Sequence, residues 1–82
     1  MTNDEERLYR IFKNYQDKEK EIYAKNRPPE GYKGLWHNGM AEVVENDKMC
    51  HAKMLKFCKD KDIALTSNMI SIMFKKYIEE NR

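Results

Sequence analysis

TSNMISIMFKKYIEE, residues 66–80, is the stretch on which the reading turns. Thr66, Ser67 and Asn68 carry side-chain oxygens able to accept from the unpaired N–H groups of a first turn, so they open a helix over about residues 67–80. Advancing about 100° per residue from Met69, Ile72 falls near ~300°, Met73 near ~40°, Tyr77 near ~80°, Ile70 near ~100°, Phe74 near ~140° and Ile78 near ~180°. That arc spans about 240°, whereas a helix packed on one core needs a stripe of only ~100° or somewhat more. Two arrangements satisfy it: a central helix sandwiched by the other helices and a loop, or a half-exposed helix completed by a partner. Glu79 and Glu80 meet the negative end of the helix dipole, which predicts fraying there.

Outward from this segment the pattern predicts two further helices. Thr2 and Glu5 stand at the spacing at which a hydroxyl and a carboxylate satisfy each other's orphan N–H groups, opening a first helix over residues 4–26. Its Leu8, Ile11, Phe12, Tyr15, Ile22 and Tyr23 fall within a stripe about 120° wide, with Asn14, Gln16 to Glu21 and Lys25 to Arg27 on the solvated side. Pro28-Pro29 ends it, because proline has no N–H and restricts the residue before it. The connection PPEGYKGLWHNG is long for a small domain at about twelve residues. Tyr32, Leu35 and Trp36 are expected to pin it, Trp36 either plugging one end of the helix pack or standing out as an anchor for a partner.

A second helix is predicted over Met40–Asp60, with Asn38 a candidate cap and Gly39 a permissive start. Asn46-Asp47 is its weak point, since both residues prefer caps and turns; two pieces, 40–46 and 47–60, or an extended stretch at Met40–Val44, are the alternatives. Lys61 to Leu65 then lead to the third helix. The expected fold is all-α: a compact three-helix domain, single over residues 1–82, with a long Trp-containing loop between helices 1 and 2.

Composition bounds what such a chain does. With 82 residues, 40% apolar and 37% charged, the core is small and its margin of stability thin. Two Cys, three Gly and two Pro exclude a disulfide scaffold, a collagen repeat and a Pro/Gly-rich disordered chain. No apolar run approaches the ~18 residues of a membrane span, and MTNDEERLYR is too acidic for a signal peptide, so a soluble cytoplasmic protein is expected. The net charge of +2 is uneven: residues 1–47 carry 8 basic and 10 acidic side chains, a balance of −2, and residues 48–82 carry 8 and 4, a balance of +4. An anionic partner would meet the second half.

The groups that catalysis needs are scarce: two His, two Cys, and no Gly-rich phosphate loop, nucleophile elbow or Walker A sequence. A three-helix chain this small is also expected to lack the volume for a pocket of ~300 Å³ that buries a substrate. A non-enzyme without cofactor or small-molecule substrate is the expectation. Asp47, His51 and Cys58 fall on one face of the second helix, with Cys50 at its margin and His37 in the loop as a conceivable fourth ligand. No C-x₂-C or H-x₃-H pair accompanies them, so the expectation is no metal: Cys50 and Cys58 read as small buried hydrophobes, and His51 beside Asp47 as a pH-sensitive packing site if both are buried.

The third-helix region resembles a helix-turn-helix, with Ile63-Ala64-Leu65 as the turn and Thr66 to Lys76 as the reading helix. The resemblance implies that Thr66, Ser67, Asn68 and Ser71 face bases or phosphates, with Lys53, Lys56, Lys59, Lys75 and Lys76 near the backbone. Lys59 and Asp60 depart from it, standing where the motif takes an apolar and a small residue. A second register, with Ala64 as the small residue, puts Ser67 at an apolar position. The reading helix is also too apolar for a polar reading face.

The leading expectation is a regulatory protein that binds another protein, or itself as a homodimer, stoichiometrically as an inhibitor or adaptor of the kind phages and mobile elements make. Tyr32, Trp36, Met69, Ile72, Phe74 and Tyr77 are its candidate anchors. The alternative is a helix-turn-helix DNA-binding transcriptional regulator using residues 66–76.

Overall fold

The computed structural model describes residues 2–34 and 38–81, so the expectations for Leu35, Trp36 and His37 lie outside the described residues. Three helices follow in order, α1 (Asn3–Lys25), α2 (Met40–Asp60) and α3 (Ser67–Glu80), and the fold is all-α. Local chemistry sets their ends. The Thr2 hydroxyl oxygen accepts from the Glu5 N–H at 3.2 Å, and that of Thr66 accepts from the Met69 N–H at 3.2 Å, each pairing a donor that the first turn leaves orphaned. Asn38 does not cap α2; Gly39 does, at φ +83°, without a side-chain bond. Glycine suits that place, because a side chain at this φ is strained and a Cβ there would stand 2.7 Å from the Asn26 amide nitrogen.

α2 is one continuous helix rather than two pieces or an extended stretch. Asn46 does not break it because its side chain is buried and donates through Nδ2 to the Tyr15 carbonyl of α1 at 2.9 Å. A cross-helix bond thus replaces the local backbone competition that makes asparagine a poor helix residue. α2 ends in a Schellman turn: the Ile63 N–H reaches the Cys58 carbonyl at 2.8 Å and the Asp62 N–H reaches Lys59 at 3.2 Å. Asp62 occupies the left-handed position, φ +56°, where glycine is usual.

α1 and α2 lie antiparallel, with Asn46 on Tyr15 midway and Lys25 Nζ 3.9 Å from Glu42 near one end. α3 covers only the other end of this hairpin. Leu8, Tyr9, Phe12 and Tyr15 of α1, Cys50, Met54 and Cys58 of α2, and Met73 and Tyr77 of α3 make one buried cluster. Tyr9, absent from the expected stripe, is inside it, while Tyr23, which the stripe included, is exposed. Gln16 and Glu19, expected on the solvated side, are half-buried. Two tyrosine hydroxyls tie α3 to α1: Tyr9 donates to Glu80 Oε2 at 2.9 Å, and Tyr77 to Asp17 Oδ1 at 2.7 Å. The Asn81 N–H caps back onto the Tyr77 and Ile78 carbonyls, and Glu80 is held by Tyr9, so the end expected to fray is tethered.

Burial, and then the hydrogen-bonded carboxylate, pushes the Tyr9 hydroxyl up to about 12, and the same causes push Tyr77 up to about 12. Folding therefore favours the protonated phenols, a contribution complete below their unfolded value near ~10 and lost as pH rises through about 12. The urea midpoint should stay level over about pH 7–9 and fall above about pH 10, with Tyr77→Phe removing part of that fall. Asp62→Gly should raise stability by roughly 0.5–1 kcal/mol in the same assay, because glycine takes a left-handed φ without a Cβ penalty.

Candidate functional site

The buried side of α3 holds only Met73 and Tyr77, about 40° apart on the helical wheel. Its remaining apolar residues stand to either side of that line. Ile72 is 54% exposed on one flank; Phe74 and Ile78, 44% and 57% exposed, are on the other. Tyr77, expected among the partner-binding residues, is 5% exposed and its hydroxyl is bonded to Asp17, so it belongs to the core. Met69 is half-buried and shares a small hollow with Glu5, Leu8, Ile72 and Met73. Tyr32 remains half-exposed in a turn whose N–H reaches the Pro29 carbonyl at 3.0 Å, and it does not line the surfaces of α3 described here.

The Phe74 flank faces α2 across a cleft. Among the described residues no Cα of α2 comes within 8 Å of one in α3, so the two helices meet through side chains alone. The opening, about 280 Å³, has Phe12 and Gln16 of α1 as its floor, Asp47, Cys50, His51 and Met54 of α2 as one wall, and Ile70 and Phe74 of α3 as the other. Phe12 meets Phe74 edge-on with ring centroids 4.8 Å apart, which holds the α3 wall in place while leaving the outer side of the Phe74 ring open. Exposed Val44 and Leu55 fall on the same side of α2 as His51, at the i, i+7 and i+11 spacing of one helix face, and extend the apolar rim.

A larger hollow of about 610 Å³ is lined by Tyr23, Ala24, Pro28 and Met40 among others. It is open to solvent and borders Asn38, next to the undescribed residues 35–37.

One acid, and no lysine or arginine, is among the described residues that line the α2–α3 cleft. Asp47 lies on its wall, and Glu19, one turn beyond Gln16 on α1, has its carboxyl pushed up by burial and by the nearby Asp47 charge. Burial, then Asp47 and Glu19, pushes the Cys50 thiol up to about 11; burial alone raises Cys58. Both cysteines are free and buried. Asp47 and His51 are exposed, so the buried pH-sensitive pair is not formed. The described residues hold no group of three or more His, Cys, Asp or Glu side chains placed to bind a metal, since Cys58 lies two turns, ~10 Å, along α2 from His51.

The residues expected on DNA are spread differently. Lys53, Lys56, Lys59, Ser67, Asn68, Ser71 and Lys75 are exposed. Thr66 uses its hydroxyl oxygen as the α3 cap. Lys76 sits over the Tyr9 ring, 4.3 Å from its centroid, and 3.9 Å from Glu80, and Lys53 reaches the Tyr15 ring at 5.8 Å. The α2–α3 connection, Lys61–Thr66, is longer than the three or four residues of a helix-turn-helix turn. Floor and wall residues Phe12, Gln16, Met54 and Ile70 went unnoticed as site residues in the sequence, and Glu19 had one signal: near 20° on the α1 wheel it falls within the apolar stripe.

Compared with known proteins, the chain matches no family model, no curated protein and no solved structure. Among the described residues no helix is long and apolar enough to cross a membrane.

Burial and the acidic surroundings of Cys50 predict inert thiols. At pH ~8 both should react with a thiol reagent about 100-fold or more slowly in the native protein than in urea, and labelling at the rate of a free thiol would contradict their burial.

Proposed function

We propose that this protein acts stoichiometrically, without catalysis, by binding another protein as an inhibitor, adaptor or regulatory subunit. One observation carries the reading: Ile72, Phe74 and Ile78 stand out on both flanks of α3, whose core side needs only Met73 and Tyr77. Apolar area left in water gains about 25 cal/mol per Å² when a partner covers it, and aromatic and aliphatic anchors of this kind dominate the energy of protein interfaces. The cleft beside Phe74 adds a concave surface bounded by rigid helices, which limits the ordering cost of association.

A second reading, a helix-turn-helix regulator that reads DNA through residues 66–76, draws on the exposure of Lys53, Lys56, Lys59 and Lys75 and of the polar first turn of α3. The lysine over Tyr9 and the apolar character of α3 weigh against it.

The two separate by photocrosslinking in the native cell. With p-benzoylphenylalanine in place of Ile78, the expected outcome is a discrete adduct destroyed by protease and untouched by nuclease. The same probe in place of Glu21, on the outer face of α1, should give none. Nuclease-sensitive adducts would favour the DNA reading, and equal yields at both positions would overturn the assignment of α3 as the contact surface.

A further inference from the structure

We infer that the α2–α3 cleft receives the apolar face of an amphipathic helix from another protein, with a basic side chain of that helix seated between Asp47 and Glu19. This rests on the protein-binding reading and specifies the chemistry of the partner. The shape is the first argument. At about 280 Å³ the cleft falls just under the ~300–1,000 Å³ of small-molecule sites, and it is bounded by two helices with an aromatic floor. Such a groove takes side chains presented at i, i+3 and i+4 by an inserted helix.

Charge is the second argument, and it selects the partner. Neither Asp47 nor Glu19 is in an ion pair among the described residues. Lysines of the neighbouring turns lie over aromatic faces: Lys18 and Lys53 over Tyr15, and Lys20 over Tyr77. Burial and then the Asp47 charge raise the Glu19 carboxyl, and burial and then these two acids raise the Cys50 thiol, in keeping with an acidic end to the cleft. An apolar trough with an acidic end is complementary to an apolar helix carrying Lys or Arg.

A second copy of this chain suits the cleft less well. A two-fold interface centred there would bring the Asp47 and Glu19 of one copy towards the same acids of the other, which is unfavourable at close range.

The test is an NMR titration of the intact protein with two synthetic helices of about 14 residues, sharing one Leu face and differing only in flanking Lys or Glu. The Leu/Lys peptide should move the backbone amides of Cys50, Met54, Ile70 and Phe74 and bind about tenfold or more tightly than the Leu/Glu peptide. Asp47→Lys, an exposed substitution that leaves the core untouched, should reverse that order. Equal binding of the two peptides in the cleft, or an order unchanged by Asp47→Lys, would overturn the basic partner and leave the protein-binding reading standing. Shifts confined to other surfaces would overturn the cleft as the site. Shifts at these four amides on concentrating the protein alone would assign the cleft to a second copy. Failure of the protein-binding reading itself is read separately, from the crosslinks at position 78.

Discussion

Phe12 joins all three helices through a single ring, which meets Phe74 at 4.8 Å and Tyr77 at 6.3 Å, both edge-on, and lies beneath Cys50 and Met54 of α2. Removing a buried phenylalanine commonly costs about 3–5 kcal/mol, a large part of the ~5–15 kcal/mol that holds a whole domain. The constraint behind it is geometric. α1 presents one narrow stripe and must support α2 on one side of it and α3 on the other, so the residues midway between them, Phe12 above all, serve both. The half-burial of Gln16 and Glu19 follows from the same position, because they continue that midline.

The two sides of α1 are held by different means. Against α2 the contact is long and antiparallel, secured midway by Asn46 on the Tyr15 carbonyl. Against α3 the shared apolar surface is short, and the helix is tethered at its margins by the Tyr9–Glu80 and Tyr77–Asp17 bonds. Hydrogen bonds to charged groups contribute about 1.5–3 kcal/mol each, enough to orient a short helix that buries few side chains. Holding α3 by its edges leaves Ile72 on one flank, and Phe74 and Ile78 on the other, about half exposed. The open cleft thus arises from how α3 is anchored, with its backbone standing away from α2.

Much of this was legible residue by residue. The capping pair Thr2/Glu5, the cap-rich Thr66-Ser67-Asn68, the proline stop at Pro28-Pro29 and the periodicity of Leu8, Phe12 and Tyr15 are local signals, and each acts over a turn or two of chain. The excess of apolar residues on α3 was equally plain, although the wheel cannot say which of them face the core. Misreadings arose where a distant residue changes the local preference. Asn46 looks like a helix breaker until Tyr15 accepts its amide, and Tyr9 lies off the stripe until α3 comes to cover it. Tyr77 looks like a surface anchor until Asp17 takes its hydroxyl.

The chain's own pattern settled that the fold is helical, that the first and third helices begin at Thr2 and at Thr66 to Asn68, and that the third carries more apolar surface than a single core face uses. Those properties depend on backbone hydrogen bonding and on the 3.6-residue repeat, which act between neighbours along the chain. Tertiary structure alone decided that Met73 and Tyr77 take the core, that Phe74 turns towards α2, and that Asp47 lines the α2–α3 cleft. These outcomes depend on where α3 crosses α1, and that is set by Phe12 and the tyrosine tethers acting across some sixty or more residues of chain.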